Sequence, residues 1–167
     1  MADFYGTASG FETYHTARGR SVAAWDDADE VNAALLVASE WLDARYRSSF
    51  GGLKVGQRAQ LREWPRTGSF DTYGYSIPSD VVPTEIENAT YEIAYRQLAA
   101  PGSLAVDWTP NKYKRASVDG AVSVEYASFA SAWDAQTQFV IVDQILSPIL
   151  TGCGAGSSPL SGAVYRA

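Results

Sequence analysis

One amphipathic stretch, residues 29–47, constrains the fold more than any other part of the sequence. Its apolar side chains advance by four, three, four and four residues, which is the α-helical period; they are Val31, Leu35, Ala38, Leu42 and Tyr46. Leu36 and Trp41 widen the apolar face, so we expect this helix to pack against more than one neighbour. The pattern therefore favours a helical bundle.

Three further helices are predicted at about residues 8–18, 84–99 and 137–150. Ser9 followed by Glu12 has the form of a capping box at the start of the first of them. The second begins after a proline, and the last is apolar along most of its length.

A β-hairpin is predicted at about residues 113–126, because Asp119-Gly120 is a strong two-residue turn signal between alternating valines. Residues 48–83 contain five glycines and three prolines, and this density predicts a long extended loop. Long irregular segments in compact domains usually serve function or assembly.

The glycine- and serine-rich residues 151–167 are predicted to form a C-terminal arm. Residues 1–150 then form a single domain, and no second domain is needed. The predicted fold class is mainly α: a small bundle of about four helices with one β-hairpin, a long extended loop and the C-terminal arm.

The composition argues against most catalytic and metal sites. With 46% hydrophobic residues, the 167-residue chain can bury a substantial core. The single cysteine, Cys153, rules out an intramolecular disulfide and a cysteine-based zinc finger, and the single histidine, His15, rules out multi-histidine metal sites. Its helical spacing from Phe11 indicates that His15 is either packed in the interior or exposed on the surface. Cys153 has no basic residue beside it in the sequence that would activate its thiol. We predict no enzyme, no cofactor and no metal.

The longest apolar runs are far too short to cross a bilayer. The first residues also lack the basic and apolar regions of a signal peptide. These features predict a soluble protein from a reducing compartment, with no membrane partner.

Charge is unevenly distributed along a chain whose formal net charge is −6. Residues 1–43 hold eight acidic and two basic residues, whereas residues 44–66 hold six basic residues and one acidic residue. One interpretation is a solvated surface with local salt bridges. The other is self-complementarity, in which the acidic flank of one copy meets the basic flank of the next in a head-to-tail contact.

The most distinctive local element is Trp64-Pro65-Arg66. Proline biases the preceding tryptophan towards extended geometry, and arginine supplies a planar fork of five donors. Trp64 either anchors the loop on the core or, with nearby arginines, contacts a neighbouring subunit. Alternating arginine and aromatic residues also suit single-stranded DNA, although the negative net charge weakens that reading.

Seven segments between residues 5 and 126 form a specific combination in a fixed order. They are Tyr5-Gly6, Tyr14-His15-Thr16-Ala17-Arg18-Gly19, the stretch from Ala34 to Asp43, the stretch from Gln60 to Gly68, Ile77-Pro78, Val82-Pro83 and Val124-Glu125-Tyr126. This combination resembles a tailed-phage family labelled as DnaT-like single-stranded-DNA-binding proteins. It is also similar to the head–tail connector proteins, known as adaptor or head-completion proteins.

The connector resemblance implies a structural virion protein that forms a ring, a dodecamer in that family. The ring would dock beneath the portal protein, meet a tail-side neck or tail-terminator protein, and surround the passing genomic DNA. The protein would then be made in the host cytoplasm and reside in the virion neck. The label itself implies the alternative, a DnaT-like single-stranded-DNA-binding protein acting in phage replication. The uneven charge, the long loop and the arm favour the adaptor.

A set of basic, aromatic and apolar residues is assigned to contacts with neighbouring subunits, portal or tail. Its members are Arg58, Arg62, Trp64, Arg66, Lys112, Lys114, Arg115, Leu160 and Tyr165. Leu160 and Tyr165 are expected to order on assembly, although scattered apolar residues on a disordered end are an alternative account.

Overall fold

The helix predicted from the apolar period forms as α2, which spans Ala28–Tyr46. The structure is a computed structural model that describes residues 4–105, 115–118, 122–125 and 138–150. The Asp27 side chain caps α2 by accepting a hydrogen bond from the Asp29 amide at 2.9 Å. The five apolar residues that defined the helical period are all buried. The wide apolar face lies against two neighbouring helices, Ala8–Thr16 and Thr84–Ala99.

Helix α1 spans Ala8–Thr16 and begins at a different cap from the one predicted. The Thr7 hydroxyl accepts a hydrogen bond from the Gly10 amide at 3.0 Å. Ser9 already lies inside the helix, so the predicted capping box at this residue is wrong. Thr7 takes the cap because its extended backbone points the hydroxyl at the free amides of the first turn.

Helix α3 spans Thr84–Ala99, as predicted, and α4 spans Val140–Leu146, which is shorter than predicted. Pro148 has no amide hydrogen with which to continue α4. The chain instead makes a turn, and Leu150 pairs with Phe50 in an isolated β-bridge.

The strands are short and pair as two antiparallel ribbons. β1 spans Leu53–Lys54 and pairs with β2 at Arg66–Thr67, while β3 spans Arg115–Val118 and pairs with β4 at Val122–Glu125. The second ribbon is the predicted hairpin, and its turn lies outside the described residues. The first ribbon was not predicted and gives regular structure to the glycine-rich loop.

The core lies where α3 packs against both α2 and α4. Among the described residues, its largest fully buried apolar side chains come from the four helices and the loop: Phe11, Leu35, Leu42, Trp64, Ile86, Ile93 and Leu146. The mainly helical bundle with one hairpin confirms the predicted fold class. None of the described helices is both long and apolar enough to cross a membrane.

Candidate functional site

Arg62, assigned from sequence to an intermolecular contact, is buried against α2 of its own chain. Its Nη1 lies 3.5 Å from Asp43 Oδ2, and its Nη2 lies 3.3 Å from Glu40 Oε1. The side chain of Glu40 is largely exposed, whereas that of Asp43 is buried. Local salt bridges, rather than a neighbouring subunit, therefore account for this part of the basic stretch.

Arg66 is also buried, and its guanidinium holds together the two strands of the β1–β2 ribbon. Its Nε donates to the Gly51 carbonyl at 2.7 Å and its Nη2 donates to the Gly52 carbonyl at 2.8 Å. Its Nη1 forms a 2.8 Å salt bridge with Glu63. The planar fork is thus used within the chain and is not presented to a partner.

Trp64 is 1% exposed and packs edge-on against Phe50, with ring centroids 5.7 Å apart. The finding favours the core-anchor interpretation of the Trp64-Pro65-Arg66 element. Trp64 is not at the surface of the folded chain, so its assignment to a subunit or DNA contact is corrected. A large ring gains more by leaving water than by remaining exposed in a loop.

Asp43 is the polar centre of this loop attachment. The Tyr5 hydroxyl donates to Asp43 Oδ1 at 2.7 Å, and the Glu63 amide donates to Asp43 Oδ2 at 3.3 Å. Burial raises the pKa of both Tyr5 and Asp43 above their ordinary values. The cluster joins the start of the chain, α2 and the loop, and its donors are satisfied internally.

A second buried polar cluster surrounds Glu92 on α3. Arg20 and Arg96 each place Nη1 2.9 Å from Glu92 Oε2, and the Tyr14 hydroxyl donates to the same carboxylate at 3.2 Å. His15 is fully buried beside them and donates from Nε2 to the Tyr91 carbonyl at 3.1 Å. Burial lowers the pKa of His15, so the neutral imidazole acts as a packed link between α1 and α3.

Within the described part of the chain, the most exposed aromatic side chains belong to a tight turn at residues 70–76, called here the aromatic turn. Phe70 is 52% exposed, Tyr73 is 83% exposed and Tyr75 is 73% exposed. Asp71 Oδ1 accepts hydrogen bonds from the amides of Tyr73 and Tyr75 at 2.9 and 2.8 Å. Gly74 lies between the two tyrosines and adopts a φ of +87°, a backbone conformation that favours glycine. The turn is therefore internally held while its rings face water.

The aromatic turn is tied to the end of the bundle where α2 and α4 finish. The Thr72 amide donates to the Pro148 carbonyl at 2.8 Å. Tyr46, the last residue of α2, is hydrogen-bonded to Asp143 of α4. The next residue, Arg47, is exposed and forms no ion pair with any described carboxylate. Three rings and a cation thus lie at one end of the molecule.

A second exposed surface is aliphatic and lies along the ribbon; we call it the aliphatic ribbon surface. It consists of Leu53, 74% exposed, Val55, 47% exposed, and Leu61, 72% exposed. Arg58 lies in a single turn of 3₁₀ helix, Gln57–Ala59, that packs against β1. Arg58 is exposed and forms no ion pair within the described residues. Of the predicted interface arginines whose side chains are described, it is the one left available.

Several assigned residues fall outside the described part of the chain. These are Lys112, Lys114, Leu160 and Tyr165, together with the whole arm at residues 151–167. Arg115 begins β3, for which only the backbone is described. Sequence reasoning missed the aromatic turn, although Tyr73-Gly74-Tyr75 has the glycine signal of a tight turn between two rings.

Among the described residues, no group of three or more histidine, cysteine, aspartate or glutamate side chains is placed to hold a metal ion. The two buried polar clusters have internal partners for their charged groups, as described above. The exposed aromatic turn and the aliphatic ribbon surface are therefore the candidate binding sites.

A family sequence model described as "Putative DnaT-like ssDNA binding protein" matches residues 1–167. The chain belongs to this family. No curated protein and no solved structure matches it. The DnaT-like membership agrees with the resemblance stated on the sequence and with the single-stranded-DNA alternative; it does not bear on a connector role. Residues that carried the resemblance, such as Tyr5, Asp43 and Trp64, build the internal framework of this DnaT-like chain.

Proposed function

We propose that this protein binds single-stranded DNA and that the aromatic turn is the stacking surface. The observation that carries the proposal is the set of three exposed rings at Phe70, Tyr73 and Tyr75 on one hydrogen-bonded turn. Unpaired bases stack on such rings with little sequence preference, at about 1–3 kcal/mol per base. Family membership supports the same ligand.

The geometry of the turn favours binding because its backbone is held before the strand arrives. Both Tyr73 and Tyr75 have their backbone amides fixed by Asp71, and Thr72 is fixed to Pro148. A surface that is already ordered loses less conformational entropy on binding. Arg47, at the same end of the bundle, supplies a cation for the phosphate backbone.

The net charge of −6 limits how much phosphate contacts contribute to affinity. Each neutralised phosphate contributes about −0.7 to the slope of log affinity against log salt for single strands. We therefore expect a shallow slope, near that of one or two phosphate contacts, because stacking dominates. This expectation distinguishes the aromatic turn from a generally basic groove.

The experiment is a fluorescence anisotropy titration of a labelled oligothymidine with the full chain. A double variant, Tyr73→Ser with Tyr75→Ser, should weaken binding by at least about tenfold, because two stacking rings are removed. Val81→Ser is the control, since it removes an exposed apolar side chain outside both the aromatic turn and the aliphatic ribbon surface. No binding by the wild type, or unchanged binding by the double variant, would contradict the proposal. Trp64→Ala is unsuitable because that ring is part of the core.

A second candidate function is the head–tail adaptor implied by the connector resemblance. The aliphatic ribbon surface favours it, because Leu53 and Leu61 are exposed yet have no π-face on which a base can stack. Contiguous exposed apolar patches are typical of protein–protein contact sites. In this role the chain would form a ring between portal and tail, located in the virion neck. Imaging of purified particles with labelled protein tests it: labelling of the neck supports the adaptor, and absence from particles contradicts it.

A further inference from the structure

A cleft of about 540 Å³ lies between α1 and the segment that leads into α2. Its floor is apolar and is formed by the buried side chains of Phe11, Val22 and Val31. Trp25, half-buried, forms part of the wall and packs edge-on against Tyr95 at 5.1 Å. A cleft of this size accepts a few aliphatic side chains.

The rim of the cleft is acidic. Glu12 and Asp26 both line it, both are exposed, and neither forms a salt bridge within the described residues. Arg20 also lines the cleft, but its guanidinium is committed to the buried Glu92. The cleft therefore suits an apolar ligand that carries a positive charge at its edge.

The aliphatic ribbon surface has the complementary chemistry. Leu53 begins β1, and Val55 follows the strand directly; both are exposed, and the Val55 amide donates to the Pro65 carbonyl at 3.4 Å. Arg58 lies in the turn that packs on the same strand. Exposed aliphatic groups and an unpaired cation thus occur together.

We infer that the aliphatic ribbon surface of one copy docks into the α1–α2 cleft of a second copy. Leu53 and Leu61 would cover the apolar floor, and Arg58 would lie against the acidic rim. This inference stands apart from DNA binding, because it uses none of the exposed rings of the aromatic turn.

The two surfaces lie at opposite ends of α2, which makes the contact intermolecular. The cleft is lined by Val31 near the start of α2, whereas the ribbon is attached at Asp43 near its end. Twelve helical residues separate these positions by about 18 Å. Because the ribbon is fixed at the far end, it docks on another copy.

The experiment measures the oligomeric state of the full chain by analytical ultracentrifugation over a range of concentrations. Wild type should associate, and the ribbon variant Leu53→Ser with Leu61→Ser should raise the dissociation constant at least about tenfold. The cleft variant Ala23→Arg should do the same, because Ala23 is an exposed lining residue and arginine both fills the cleft and opposes Arg58. All substituted residues are exposed, so circular dichroism should show unchanged helix content.

Mixing the two variants tests whether the ribbon and the cleft are each other's partners. The cleft variant retains an intact ribbon and the ribbon variant retains an intact cleft, so a ribbon-to-cleft contact predicts a heterodimer that grows no further. A wild type that remains monomeric, a cleft variant that associates normally, or a mixture that forms no complex would each overturn the inference. The oligothymidine titration is read separately, so failure of self-docking and failure of DNA binding are distinguishable.

Discussion

The Tyr5 hydroxyl donates a 2.7 Å hydrogen bond to Asp43 Oδ1 and accepts a 3.0 Å hydrogen bond from the Trp64 amide. One buried phenol thus joins three segments that are far apart in the sequence. The Tyr5 amide in turn donates to the Ser39 hydroxyl at 2.9 Å. The start of the chain and the loop are therefore attached to the same stretch of α2.

Replacing Tyr5 with phenylalanine should destabilise the protein by about 2 kcal/mol. The change leaves the ring in place, but Asp43 loses a hydrogen-bond donor and the Trp64 amide loses its acceptor. A buried polar group left without a partner costs about 1–3 kcal/mol of folding stability. Urea denaturation measures the free energy of unfolding. Tyr73→Phe is the control, because that hydroxyl is on an exposed ring. Equal stability of the Tyr5 variant and wild type would show that the hydroxyl does not hold the segments together.

Replacing Glu92 with glutamine should also destabilise the protein by about 2 kcal/mol. Burial would raise the pKa of Glu92, but the hydrogen bonds and charges of Arg20 and Arg96 outweigh it and lower that pKa. The loss lies below the usual range of about 3–5 kcal/mol for a broken buried pair, because both arginines are about one-third exposed. Thermal and urea unfolding provide the measurement. Glu85→Gln is the comparison, because Glu85 is half-buried in the first turn of α3 and forms no salt bridge within the described residues. An equal loss there would contradict a specific role for Glu92.

Acidification should destabilise the protein through His15. Burial lowers the pKa of this imidazole in the folded chain, so below about pH 6.5 the unfolded chain binds more protons than the folded chain. Stability is therefore lost as the pH falls from 7 to 5. His15→Gln removes the titrating group while retaining a donor for the Tyr91 carbonyl. The melting temperature of this variant should fall less than that of wild type over the same range; parallel curves would exclude His15 as the cause.

Replacing Asp71 with alanine should weaken DNA binding while leaving stability nearly unchanged. Removal of the carboxylate frees the amides of Tyr73 and Tyr75, so the backbone that presents their rings loses its fixed conformation. Asp71→Asn retains an acceptor and removes the negative charge, so it should bind at least as tightly as wild type. Anisotropy titrations of both variants provide the measurement. Tighter binding by the alanine variant would show that charge, rather than the geometry of the turn, controls affinity.

Local patterns predicted the helices because their periods reflect which faces become buried. The Val31-to-Tyr46 stripe and the proline before Thr84 locate α2 and α3 closely, since both signals act within a few residues. The fold class followed from those helices and the hairpin. The cap of α1 was misplaced because Thr7 and Ser9 are similar as caps, and backbone geometry decides between them.

The candidate site was harder to predict because exposure depends on contacts across the chain. The sequence around Trp64 has the composition of a binding surface, yet Arg62, Trp64 and Arg66 are all buried. Arg62 lies against α2, Trp64 against Phe50, and Arg66 against the backbone of Gly51 and Gly52. Tyr73 and Tyr75 lie in an ordinary turn sequence and became candidates only through their exposure. A side chain's type does not reveal whether its surroundings leave it in water.

By itself, the sequence determined which segments are helical, the mainly α class and the absence of multi-histidine sites, because these depend on period and composition. Tertiary structure alone decided that Asp43 receives Tyr5 and Arg62, that Trp64 enters the core, and that the rings of the aromatic turn stay in water. The physical reason is that long-range packing selects among polar and aromatic groups of equal local propensity. It buries the polar groups of Tyr5 and Asp43, whose hydrogen bonds are satisfied, and it buries the Trp64 ring although its indole Nε1 has no hydrogen-bond partner among the described residues.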